Sequence, residues 1–308
     1  ELDGYAAKCV MLMVGTNNEG DAPERALATL GEAGRRLATG GTLHLGAGTF
    51  ADGIELSGNG VRIVGEGRDK TCIRMKSGTA IMILGHDALV RDLTVEGAAV
   101  GVKLGLIDGW APTNVVVRDC TFRSCSGHGW YMQQDGLNPG VFTNFVSRCI
   151  FTNCATAVEM KGTESGKNRH GDMLIDTCLM VGGARGYKTD CQRADAPVQR
   201  NNVHRIVNCT IFGNSDYGVN FGVWEDGFCD NCIIADNGNY NVYMGDWGSL
   251  AFRNSLVGGT CKSYNYGGSA HTAISLIDSE TDFTDSAYLK LDVRRRRRFF
   301  QVFHIVPI

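Results

Sequence analysis

The sequence predicts an all-β chain folded as one single-stranded, right-handed parallel β-helix with a capping α-helix at its N-terminal end. Three observations predict it: an extended segment repeated in fixed register, a second short strand at near-constant offset from each repeat, and a single helix signature ahead of the first strand. A chain of 308 residues fits this class, because a solenoid grows by stacking repeats that contact only their neighbours.

The repeat comes first. Seven segments share one pattern: LVRDLTVEG, VVVRDCTFRSC, FVSRCIFTNC, MLIDTCLMVGG, VHRIVNCTIFGN, GFCDNCIIADN and SLAFRNSLVGG. Their register position falls at Leu93, Cys120, Cys149, Cys178, Cys209, Cys232 and Ser255, at intervals of 27, 29, 29, 31, 23 and 23 residues. Two places further on stands an apolar residue each time: Val95, Phe122, Phe151, Met180, Ile211, Ile234 and Val257. A two-residue step puts both side chains on one face of a strand.

The second strand follows as VGVKLG, GWYMQ, AVEMK, GYKTD, GVNFG and NVYMG. Its inward pairs are Val102/Leu104, Trp130/Met132, Val158/Met160, Tyr187/Thr189, Val219/Phe221 and Val242/Met244. Helical repeats of similar period would carry an apolar stripe of period 3.6, and these segments carry none. The 41 glycines against 5 prolines suit many tight corners and few rigid linkers.

The helix signature is Asp21-Ala-Pro23-Glu24, with Asp as N-cap and Pro in the first turn. Ala26, Leu27, Leu30, Ala33 and Leu37 form an apolar face, and Gly40-Gly41 ends it. An open solenoid end exposes core and strand edges, so a cap is required there. The chain thus divides into residues 1–41 (N-terminal segment and capping helix), 42–260 (β-helix) and 261–308 (C-terminal cap or tail). The tail holds a run of five arginines, Arg294 to Arg298, followed by an apolar end, FFQVFHIVPI. Such a run suits an anionic surface and such an end suits capping or oligomerisation.

Composition excludes some classes. The net charge of −3 offers no electrostatic footprint for nucleic acid. No stretch of 18 apolar residues occurs, so no membrane span is expected. Of the 12 cysteines, five hold one register position, and Cys125 and Cys154 are a second equivalent pair. Parallel stacking aims neighbouring Cβ atoms poorly for a disulfide, so the expectation is a buried column of reduced thiols. Cys229 and Cys232 have metal-ligand spacing, but no second pair or histidine lies near them in sequence.

A helix followed by GGTLHLGAGTFADGIEL and VRIVGEGRDKTCIRM resembles the opening of the pectate-lyase-like right-handed parallel β-helix superfamily, which includes polysaccharide lyases and polygalacturonases. The resemblance covers about residues 15 to 260 as architecture. Gly127-His128-Gly129 is similar to the Gly-His-Gly of polygalacturonases, and Gly186-Tyr187-Lys188-Thr189 to their Arg-Ile-Lys strand, with Gly186 where Arg would stand. The carboxylates of that family's site have no counterpart in the chain. Glu159-Met160-Lys161 followed by Arg169-His170-Gly171 is similar in residue type to the Lys and Arg elements of the chondroitinase B/alginate lyase family, in different order and spacing.

The candidate site follows from the strand alternation. Outward positions of the second strand read Lys103, Tyr131, Glu159, Lys188, Asn220 and Tyr243, and one step further Gln133, Lys161 and Asp190. The three central coils therefore carry Tyr131, Gln133, Glu159, Lys161, Lys188 and Asp190 on one patch, where pairs such as Glu159–Lys188 and Lys161–Asp190 would also stabilise an ordinary solvated face. The longest insertions follow these strands and bring Arg169, His170 and Arg193, while Arg185 opens the GYKTD strand. Long loops beside a polar patch on a rigid scaffold suit the wall of a groove. Trp224 and Trp247, each three residues after equivalent core positions, suit either a sugar platform or packing under a loop.

Two chemistries fit. Uronate β-elimination needs a base and a cation for the carboxylate, with Lys161, Lys188 or Tyr131 as base and Arg169 or Arg185 as neutraliser. Inverting glycoside hydrolysis needs two carboxyls; Glu159 and Asp190, on adjacent coils and offset by two residues, would lie about 8 Å apart. Cleavage of an anionic polysaccharide by elimination is the leading expectation, Gln133, His170, Arg185, Arg193, Trp224 and Trp247 binding substrate. The rival is a non-catalytic glycan-binding module, an adhesin or tail-spike-like β-helix. Asp-Gly at 108, 135 and 226 reads first as a turn and second as a calcium ligand; no other cofactor is implied. A polysaccharide substrate implies an extracellular, cell-surface or periplasmic protein, and a column of free thiols is equally compatible with the cytoplasm.

Overall fold

The computed structural model describes residues 9–12, 27, 29–37, 39–105, 111–134, 143–162, 171–190, 202–222, 225–245, 249–258, 261–263 and 273–277. The expected helix start at Asp21–Glu24, most of the long insertions and the Arg294–Arg298 run lie outside them.

The described strands form three sheets, all parallel, of eleven, nine and nine strands. Successive coils add one strand to each sheet, as in Val116–Arg118, Thr121–Arg123 and His128–Gln134. The chain is therefore a right-handed β-solenoid with a triangular cross-section. What reads in sequence as one extended stretch is two strands, bent between them at a left-handed residue. Asp92, Asp119, Arg148, Thr177, Asn208, Asn231 and Asn254 occupy this corner with φ from 47 to 60°. Five residues later a second left-handed corner, at Gly97, Ser124, Asn153, Gly182, Gly213 or Asp236, turns the chain toward the third sheet. Asn and Asp make up most of the first column and Gly, Asn and Asp most of the second, because they tolerate this backbone region best.

The register cysteines stand immediately after the first corner, all buried. The corner leaves the following N–H pointing along the stack. Cys149 N–H donates to Cys178 Sγ and Cys178 N–H to Cys209 Sγ, both at 3.4 Å, and Cys232 N–H donates to Ser255 Oγ at 3.0 Å. The nine cysteines whose side chains are described are all free thiols.

Inward-facing residues stack in continuous columns. Ile73, Val95, Phe122, Phe151, Met180, Ile211 and Ile234 line the second sheet, and Ile81, Val102, Trp130, Val158, Tyr187, Val219 and Val242 line the third. Phe122 and Phe151 are parallel, with ring centroids 4.9 Å apart. Each such side chain contributes about 1.5–3 kcal/mol on burial, which is how the pattern of alternation selects this register.

The capping helix spans Leu30–Arg36, with Thr29 as its N-cap: Thr29 Oγ1 accepts the Glu32 N–H at 3.2 Å. It packs on the strand Ile54–Leu56, and Gly34 permits the contact, since a Cβ there would lie 2.6 Å from the Glu55 carbonyl oxygen. The sheets also extend past the limits drawn from sequence: Cys9–Leu12 pairs with Thr42–Leu45, and Cys261–Ser263 and Ala273–Ile277 continue two sheets beyond residue 260.

Candidate active site

The outer face of the third sheet carries the candidate site, across the strands His128–Gln134, Thr156–Gly162 and Arg185–Asp190. Backbone register stacks Tyr131, Glu159 and Lys188 as one rung, and Gln133, Lys161 and Asp190 as the next. A rung three residues earlier consists of His128, Thr156, Arg185, Tyr217 and Tyr240.

That spacing of three is the irregular feature. Between His128 and Tyr131 two successive residues, Gly129 and Trp130, face inward, and every equivalent strand repeats this. The first of the two is small (Ala80, Gly101, Gly129, Ala157, Gly186, Gly218) except at Asn241. A Cβ on Gly129 would meet the Phe151 ring at 2.4 Å, and one on Gly186 would meet Ile211 at 2.4 Å. The strand kinks there, and the residue ahead of the kink returns to the outer face.

Glu159 organises the patch. Its Oε2 lies 2.8 Å from His128 Nε2, and its Oε1 accepts from Lys188 Nζ at 3.0 Å. One buried carboxylate thus joins three coils. Burial alone would raise the Glu159 pKa; the His128 hydrogen bond and the charge and hydrogen bond of Lys188 outweigh it and hold the carboxyl at about 2. A carboxylate only accepts hydrogen bonds, so His128 Nε2 carries the hydrogen and Nδ1 keeps the lone pair in the neutral ring. The His128 ring stacks on Tyr131, centroids 4.4 Å apart, and Tyr131 OH donates to Gln133 Oε1 at 2.8 Å. Arg185 Nε donates to Asp216 Oδ2 at 2.9 Å on the far side of Lys188.

Of the residues expected from sequence, Tyr131, Gln133, Glu159, Lys161, Arg185 and Lys188 share this face. Asp190 pairs with Lys161 through the backbone, and its side chain is not among those described. Arg169, His170, Arg193, Trp224 and Trp247 lie outside the described residues. The Glu159–Lys188 pair is present. Within the hydrolytic alternative Glu159 is unsuited to the acid's role, because protonating a leaving group near neutral pH requires a carboxyl shifted up rather than down; its ionised carboxylate fits only the role of base.

His128 is the residue that the alternation missed. Its signal was its place three residues before Tyr131, matching Arg185 before Lys188 and Tyr217 before Asn220. As for metals, no group of three or more His, Cys, Asp or Glu able to hold an ion occurs among the described residues. Asp226 Oδ1 instead accepts from the Ser249 N–H and hydroxyl at 2.8 and 2.7 Å, while Asp108 and Asp135 lie outside the described residues. No helix among the described residues is long and apolar enough to cross a membrane.

A family model for the right handed beta helix region matches residues 110–280. A search of curated proteins returns no match. Solved structures similar to the chain include ORF18 of Geobacillus virus E2, at 14% identity and a TM-score of 0.53, covering 83% of this chain and 55% of that one. A mannuronic acid specific polysaccharide family 6 lyase from human gut microbiota aligns at 16% identity and a TM-score of 0.50, over 74% of this chain and 60% of that one. A rhamnogalacturonan lyase aligns at 10% identity and a TM-score of 0.57, over 95% and 98% of the two chains. The chain therefore spans less than two thirds of the first two proteins. At these identities the likeness is one of fold.

Proposed function

We propose, for a chain that belongs to the right-handed β-helix family, that it is a carbohydrate-active enzyme cleaving a uronate-containing polysaccharide by β-elimination. The observation that carries this reading is the buried Glu159 carboxylate gripping a histidine on one side and a lysine on the other. That is a base, its orienting acid and a cation on one rigid sheet face. Two of the similar solved structures bear the names of polysaccharide lyases, which agrees with the reading.

Elimination removes the proton beside the uronate carboxylate, forms a carbon–carbon double bond and breaks the bond to the glycosidic oxygen. His128 takes the proton on Nδ1, with Glu159 fixing the ring and stabilising the imidazolium that forms. Lys188 meets the substrate carboxylate, lowering the energy of the carbanion-like transition state, and Lys161 adds positive charge one step along the strand. The Tyr131 hydroxyl, beside the imidazole, returns a proton to the leaving oxygen. The sequence allowed Lys188 as base; its engagement with Glu159 favours the neutralising role instead. A polymeric substrate of this class places the protein outside the cell or in a periplasm.

The test is direct. The protein is incubated with polymannuronate, polygalacturonate and rhamnogalacturonan while the ultraviolet absorbance of the conjugated double bond is followed. Product that absorbs, with shortened chains, supports elimination. Shortened chains without absorbance would point to hydrolysis, and unchanged chains to a binding module.

A further inference from the structure

The outer face that carries Glu159 continues, past Arg185 and Lys188, into an aromatic surface. Tyr217 follows Arg185 in register and Tyr240 follows Tyr217, while Asn220 and then Tyr243 follow Lys188. The rings of Tyr217 and Tyr240 are nearly parallel, at 11° with centroids 5.8 Å apart. Tyr243 is tilted against both, at 5.6 Å from Tyr217 and 6.0 Å from Tyr240. All three are partly exposed. The core does not account for them, because the inward positions of the same strands are filled by Val219, Phe221, Val242 and Met244.

We propose that Tyr217, Tyr240 and Tyr243 form a pyranose-stacking subsite that holds a polyuronate chain along the solenoid axis, next to the residue being cleaved. Two features point to this ligand. Aromatic rings offer a flat apolar surface to the C–H face of a sugar while their hydroxyls stay in water. The same two rungs that end in tyrosine carry Arg185, hydrogen-bonded to Asp216, and Lys188, hydrogen-bonded to Glu159, so a charged polymer lying along the rungs meets these ion-paired cations first. One coil on, about 5 Å away, it meets Tyr217, and a coil further, about 10 Å away, Tyr240 and Tyr243. The tyrosine hydroxyls beside these ion pairs suit a hydroxylated, charged polymer better than an apolar partner.

The inference rests on the proposed substrate class, and a paired experiment separates the two. Retention of the native protein, Tyr240→Ala, Tyr240→Phe, Tyr217→Ala and Glu159→Gln is measured by native electrophoresis in gels containing polymannuronate or polygalacturonate. The steady-state rate on long and short oligouronates is measured beside it. Tyr240→Ala and Tyr217→Ala should weaken retention and raise KM on long substrates roughly fivefold to tenfold, with kcat held. Tyr240→Phe should restore both, and Glu159→Gln should keep retention while losing turnover. Tyr-dependent retention without any turnover sustains the subsite and sinks the lyase. Retention and KM unchanged in both alanine variants overturn the subsite, as does a loss in thermal stability with no change in retention.

Discussion

Glu159 accepts a hydrogen bond from Lys188 Nζ at 3.0 Å on one oxygen and lies 2.8 Å from His128 Nε2 on the other. Glu159 is 5% exposed while the side chains of His128 and Lys188 are 25% and 21% exposed, so water dilutes both interactions less than it would a surface ion pair.

This arrangement sets a pH dependence. The folded Glu159 sits at about 2 against an ordinary value of 4.5. A depressed carboxyl contributes stability that is fully present above its unfolded pKa and is lost as pH falls through the folded one. The contribution, of order 3 kcal/mol at most, therefore fades between about pH 4.5 and 2. Denaturant unfolding of native protein and Glu159→Gln across that window should show the two converging as pH falls. A constant gap between them would remove the ion network as its cause.

Within the solenoid, Tyr187, His204 and Glu225 form a second polar group with no solvent contact. Tyr187 OH lies 2.8 Å from His204 Nδ1, and His204 Nε2 is bonded to Glu225 Oε2. Burial, then the charge of Glu225, pushes the Tyr187 phenol far above its usual range. Removing one member strands the others, so Glu225→Leu should cost about 3–5 kcal/mol by denaturant titration. Replacing His204 and Glu225 together with apolar residues should recover much of that loss.

Thr177 stands at the first corner with φ of 54°, in a column otherwise formed by Asp, Asn and Arg. A β-branched residue is strained there. Thr177→Asn relieves the strain and extends the side-chain chain in which Asn231 Nδ2 donates to Asn208 Oδ1 at 2.6 Å and Asn208 to Asp176 at 3.0 Å. A gain of about 1 kcal/mol is expected, seen as a rise of a few degrees in Tm. Thr177→Val should lower it.

The register cysteines predict a chemical signature. Alkylation of the native protein followed by mass spectrometry should spare Cys120, Cys149, Cys178, Cys209 and Cys232, and unfolding should label all five, since burial blocks access. Cys209→Ser should be tolerated within about 1 kcal/mol. Ser255 already fills that register, donating to the Cys229 carbonyl at 2.9 Å and accepting from the Cys232 N–H at 3.0 Å.

What the sequence made legible, and what it did not, has a physical basis. Val158 and Met160 alternate with Glu159 and Lys161, so the inward column and the middle of the polar patch follow from a period of two. His128 escaped because the kink at Gly129–Trp130 breaks that period. The bend that makes three sheets escaped because a single left-handed residue, whether Asp119, Arg148 or Thr177, has no fixed identity. The helix start predicted at Asp21 lies outside the described residues, and the observed cap at Thr29 carries its own signal: Glu32 stands three places on, with its N–H on the Thr29 hydroxyl.

The most direct test of the central claim is the initial rate of unsaturated-uronate formation by native protein, His128→Ala and Glu159→Gln on the best polyuronate substrate, each variant first shown to be folded. Turnover by the native protein and a fall of about a hundredfold or more in both variants are expected. Absence of product from every polyuronate, or full turnover by either variant, would contradict the claim.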